Sequence, residues 1–145
     1  MKIVLLLALL VCFIHPAYAD ETKTFGPDFA RFSVTVPTGW RADAQESGCL
    51  LQSADNKTAL SVQIYGSVTQ SANEIADILI TQLGVKIHKT DSNGFNEMVV
   101  YGEMDGVRIV LLITVKDETC MVVTFAGSDS QGLEKIFDSM QDANA

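Results

Sequence analysis

Cations are scarce in this chain. Its 145 residues include 10 Lys and Arg against 18 Asp and Glu, a formal net charge of −8. Phosphate recognition depends on clustered Lys and Arg, so this balance argues against a nucleic-acid partner and an anionic membrane surface. Histidine is scarcer still, with two in all, and His88 alone lies beyond the amino-terminal segment. With no second His near it and no Cys-x-x-Cys spacing, no metal site is expected, and His88 reads as a surface residue. Glycine-rich phosphate loops are absent. Gly127-Ser128-Asp129-Ser130 departs from the Gly-x-Ser-x-Gly nucleophile pattern and reads as a helix start. Asp91-Ser92-Asn93-Gly94 opens like a calcium loop, but Gly102 stands where the closing Glu would have to be. Asn56-Lys57-Thr58 has the glycosylation spacing, which matters only in a eukaryotic secretory route. No catalytic, cofactor-binding or metal-binding residue is assigned, no cofactor is expected, and the chain is expected not to be an enzyme.

Long apolar runs are also few. Ile3 to Ile14 is unbroken, preceded by Met1-Lys2 and followed by His15-Pro16 and the small-residue pattern Ala17-Tyr18-Ala19. This is the layout of a secretory signal cleaved between Ala19 and Asp20, leaving one α+β domain over residues 20–145. A spanning helix needs about 20 apolar residues, more than this run offers. Cys12 lies inside the run instead of at its end, which argues against lipidation. The chain is therefore expected in the periplasm or outside the cell, free of membrane once the leader is removed. Much of the apparent apolar surplus, 48% overall, belongs to that leader.

Two cysteines remain, Cys49 and Cys120. In an oxidising compartment they are candidates for a disulfide, which would require neighbouring strands with Cα atoms within about 7 Å. The alternative is two separate buried thiols, since free Cys is among the most buried residue types.

The periodicity is informative. Ala30, Phe32, Val34 and Val36 alternate with Arg31, Ser33 and Thr35, a half-buried strand stopped by Pro37-Thr38-Gly39. Trp40 opens another extended piece, and strands follow at Cys49 to Gln52 and Leu60 to Tyr65. Ser71 and Glu74 have capping-box spacing, and Ala72, Ile75, Ala76, Leu79 and Leu83 repeat at helical intervals before Gly84. Asn93-Gly94 and Asp105-Gly106 are type I′ turn dipeptides. A two-residue loop at Asp105-Gly106 sets Met104 opposite Val107 and Val100 opposite Leu111, with Met98, Ile109 and Ile113 on the same face. The other face carries Val99, Val110 and Leu112, so it too is expected to be covered and the sheet to form a middle layer. Cys120 to Ala126 continues the meander. Ser128, with Gln131 after it, is expected to cap a last helix bearing Leu133, Ile136, Phe137 and Met140. Six or seven antiparallel strands with two helices on their faces make an α+β fold.

Phe32-Ser33-Val34-Thr35-Val36-Pro37-Thr38-Gly39-Trp40, a strand followed by Pro-x-Gly-Trp, resembles the opening of PsbP/Mog1-like domains. The resemblance extends over about residues 25 to 141. It implies an antiparallel sheet sandwiched between helices and a role as adaptor or assembly factor, and it transfers no catalytic motif. Trp40 is expected to anchor the rim of the core.

These readings point to an exported, non-enzymatic domain that binds a protein or serves envelope assembly, where its acidity would suit a basic partner such as an inhibited hydrolase. The alternative is a carrier of a small apolar ligand in a cavity between sheet and helix, suggested by Met98, Met104 and Met121.

Overall fold

The computed structural model describes residues 19–143, so the expected leader up to Tyr18 lies outside the described residues. The elements are β1 (Glu21–Phe25), β2 (Phe32–Val36), β3 (Arg41–Gln45), β4 (Gly48–Gln52), β5 (Ala59–Tyr65), α1 (Ala72–Leu83), β6 (Lys86–Asn93), β7 (Glu97–Met104), β8 (Val107–Lys116), β9 (Thr119–Ala126), α2 (Ser130–Ser139) and β10 (Gln141–Asp142). Seven strands form one antiparallel sheet in the order β3-β4-β5-β9-β8-β7-β6, and β1, β2 and β10 form a small second sheet. No helix among the described residues is long and apolar enough to cross a membrane.

Local chemistry explains most of these elements. Ser71 Oγ accepts the Glu74 amide while the Glu74 carboxylate accepts the Ser71 amide at 2.8 Å, a complete capping box. Gly84 ends α1 in the left-handed conformation, with φ of 67°. The β7–β8 hairpin has the expected register, with Met104 opposite Val107 and Val100 opposite Leu111. Asp105 and Gly106 take the positive φ that this turn demands. The last helix starts one residue later than Ser128 would cap it: Asp129 is the N-cap, its carboxylate accepting the Gly132 amide at 3.0 Å.

The described residues hold ten strands, where the sequence pattern marks six or seven. The three unmarked strands, β1, β6 and β10, show little apolar alternation. All eight residues of β6 are exposed, and β10 is a two-residue addition to β2.

Alternation along the strands divides the core in two. On the front of the large sheet, Cys49, Leu51, Leu60, Val62, Ile64 and Val123 pack against Phe32, Val34 and Val36 of the small sheet and Ile136 of α2. On the back, Val100, Ile109, Leu111, Ile113, Val115 and Val122 pack under Ala72 and Ala76 of α1. Trp40 is half-buried at the rim of the front core, within reach of Gly132 on α2, where an added Cβ would sit 2.5 Å from its ring. The two covers lie on different halves of the sheet: the front core is built on β4, β5 and β9, the back core on β7, β8 and β9.

Candidate functional site

Diagonal coverage leaves two quadrants of the large sheet bare, and they differ in chemistry. A sheet face meeting water should be polar. The back of β3, β4 and β5 meets that rule, with Arg41, Asp43, Gln45, Gln52, Ser61 and Gln63 around Leu50. These side chains hydrogen-bond one another: Arg41 Nε donates to Asp43 at 3.1 Å, Arg41 also to Gln52, and Gln63 to Gln45.

The front of β7 and β8 breaks the rule. Cross-strand pairs Val99–Leu112 and Tyr101–Val110 place four large apolar side chains there, all half-buried. The front core reaches Leu112, and no residue of β7 belongs to it. The sequence pattern leads one to expect a cover on this face; among the described residues the chain does not supply one. Amphipathic periodicity reports that a face is apolar, not which element reaches it.

The quadrant continues into a trough beside α2. Phe137, 39% exposed, stacks edge-on against Phe125 at 5.7 Å, and Leu133 lies one turn earlier. A cleft of about 200 Å³ lies at one end, lined by Arg108, Val110, Phe125 and Leu133 together with Gly127, Ser128 and Ser130. At the other end a cleft of about 560 Å³ opens between Thr114, Lys116 and Met121 of the sheet, the Phe29–Phe32 segment and Met140–Asp142. Phe29 at its mouth is 59% exposed.

Charges border the trough unevenly. Lys89 lies 5.5 Å from the Tyr101 ring centroid and 2.9 Å from the Asp91 carboxylate, and the Asp91 hydrogen bond holds its pKa above the usual lysine value. Glu103 is engaged by Lys86 at 3.6 Å and by His88 at 3.3 Å. Arg108, directly across from Glu103, is exposed and forms no ion pair among the described residues. His88 thus sits on the exposed edge strand, at a register shift, and lines neither of the two clefts at the ends of the trough. Among the described residues no group of three or more His, Cys, Asp or Glu is placed to hold a metal.

Cys49 and Cys120 are not brought together. Both are free thiols, and β5 separates their strands. Cys49 faces the front core and Cys120 the back core, so the sheet itself stands between them. Spacing in the sequence could not reveal this, because it depends on strand order. Burial pushes the Cys49 thiol up from 9.0 to about 12, and it raises Cys120 as well. Neither thiol is therefore expected to react with a disulfide reagent at pH 8 until the protein is unfolded, which a timed thiol titration measures. Above pH 9 the unfolded Cys49 loses its proton while the folded one keeps it. The folded state then binds more protons, so stability is expected to fall as pH rises from 9 toward 12. Urea midpoints across that range check the sign, with a shallower fall in Cys49→Val.

At the expected cleavage site, Ala19 is exposed. Asp20 is tied down: its carboxylate accepts from the Thr38 amide at 2.9 Å and the Thr38 hydroxyl at 3.2 Å, and pairs with Lys135 of α2. The Lys135 contact, then the Thr38 amide, holds its pKa below the usual carboxylate value. Met98, Met104 and Met121 do not form one cluster. The first two border the back core under α1, while Met121 faces the front beside the larger cleft. That cleft lies between the large sheet and the β2–β10 segment, not between sheet and helix.

No protein-family model matches the chain, and no curated protein matches it in sequence. Solved structures do match. The solution structure of cyanobacterial PsbP (CyanoP) from Synechocystis sp. PCC 6803 is similar at a TM-score of 0.59 and 8% identity, over 88% of this chain and 95% of that one. A crystal structure from Bacteroides thetaiotaomicron VPI-5482 matches at a TM-score of 0.43 and 15% identity, over 77% of this chain and 44% of its own length. With its strands and helices aligned over nearly all of the cyanobacterial chain, this protein has a PsbP-like α+β fold.

Proposed function

We propose that this chain is an exported, non-enzymatic domain that binds another protein through the front of β7 and β8. The observation that carries the reading is the contrast between the bare quadrants: one is polar and hydrogen-bonded, the other presents Val99, Tyr101, Val110 and Leu112. A contiguous apolar patch that no element of the chain covers marks an interaction site. Export rests on the amino-terminal pattern. The larger cleft favours a second reading, an apolar-ligand carrier, because Phe29, Phe32, Ile64, Met121 and Met140 line it.

The test is a paired substitution. Val99→Ser with Tyr101→Ser should lower partner affinity at least about tenfold, as expected for central interface residues. The same pair should change stability by no more than about 1 kcal/mol, because no core residue is removed. Gln63→Ser in the polar quadrant should leave affinity unchanged. A partner retained by the front variant and lost by Gln63→Ser would overturn the reading. An apolar molecule that co-purifies with wild type and is lost in Met121→Ser would favour the carrier.

A further inference from the structure

The trough has the dimensions and chemistry of a slot for one helix. From the wall formed by α2, the strands β8, β7 and β6 extend to the sheet edge. At about 4.8 Å per strand this strip is roughly 10–14 Å wide, and a helix with its side chains is about 10–12 Å across. The same strands already carry a helix on their other face, where α1 lies over β7 and β8. Leu133 and Phe137, four residues apart on α2, form a ridge of the kind that seats a neighbouring helix. An added strand has no comparable place. The edge strand beside the trough, β6, is eight exposed residues carrying Lys86, His88, Lys89 and Asp91, with a register shift between Ile87 and Lys89. Charge and irregularity of this kind block edge pairing.

Charge gives the slot a direction. The chain as a whole is acidic, with a net charge of −8, yet Arg108, at one end of the trough, forms no ion pair among the described residues. Its cross-strand neighbour Glu103 is held by Lys86 and His88. At the other end Arg31 and Lys116 stand with Asp117, Asp142 and, on β7, Glu97, so that end carries both signs.

We propose that the occupant is a single amphipathic helix of the partner protein, its apolar stripe on Val99, Tyr101, Val110 and Leu112 and a carboxylate side chain at the end that meets Arg108. This deepens the protein-binding reading and rests on it. It also reverses one expectation from overall charge, because on this face an acidic segment is favoured over a basic one.

Two labelled 14-residue helical peptides test it, identical in their Leu stripe and differing only in three Glu or three Lys at one end. The Glu peptide should bind the mature chain about tenfold more tightly than the Lys peptide, and should shift the amide resonances of Val99, Tyr101 and Val110. Arg108→Glu should invert the order of the two peptides. Arg108 is exposed and forms no ion pair among the described residues, so this variant should melt within a few degrees of wild type. Failure of both peptides to bind, shifts confined to the exposed face of α1, or an unchanged order in Arg108→Glu would each overturn the helix proposal. If the natural partner still depended on Val99 and Tyr101 after such a failure, the protein-binding reading would stand and only its helical occupant would fall.

Discussion

Gly48→Ala is expected to destabilise the fold by about 3 kcal/mol or more. Gly48 is buried at the start of β4, opposite Gln63 of β5 and Gln45 of β3. An added Cβ there would lie 1.8 Å from the Val62 carbonyl oxygen and 2.8 Å from its carbonyl carbon. Both are backbone atoms of a strand bonded on either side, to β4 and β9, so no side-chain rotation relieves the clash. Either β4 separates from β5 or the β5–β9 ladder distorts. Overpacking that moves backbone falls at the upper end of such costs, on the order of 3 kcal/mol or more against a domain stability of about 5–15 kcal/mol. Urea unfolding of the purified variant measures it; a loss below about 1 kcal/mol would mean that β4 is not seated as described.

Leu111→Ala should cost about 2–5 kcal/mol, the range for a buried Leu whose site cannot collapse. Leu111 is 0% exposed in the back core beneath α1, and its neighbours Val100 and Ile113 are equally enclosed. The melting temperature should drop by about 10 °C or more. Leu112→Ala is the instructive comparison. The adjacent side chain points to the other face, where it is half-buried at the margin of the front core and the bare quadrant. Its loss should cost the isolated protein less than that of Leu111, yet weaken partner binding more. Equal destabilisation by the two changes would indicate that Leu112 is enclosed within the chain and that the quadrant is not bare.

Short-range chemistry was the readable part of this sequence. Asp105-Gly106 dictated the hairpin register because a type I′ turn fixes which residues stand opposite, and Ser71 with Glu74 fixed the start of α1 for similarly local reasons. The Asp129 cap was displaced by one residue because either Ser128 or Asp129 can accept a first-turn amide, and sequence spacing does not choose between them. The polar strands β1, β6 and β10 carry little strand signal in the sequence, since their partners, not their own alternation, hold them in place.

The proposed interaction face was half legible. Val99, Val110 and Leu112 announced an apolar surface, but Tyr101 and the missing cover depend on where α1 and α2 come to rest, which is a tertiary matter. The same distinction separates Cys49 from Cys120: both read as buried strand residues, and strand order alone sends them to opposite faces.

The most direct test of the central claim contrasts the two bare quadrants in the cell. A photo-crosslinking amino acid replaces Val99 in one variant and Ser61 in another, one residue from each quadrant. After irradiation, the position 99 variant should give a discrete covalent adduct with one partner protein and the position 61 variant none. Adducts at position 61 alone, or no adduct at position 99 in folded protein, would contradict the assignment of the front of β7 and β8 as the binding face.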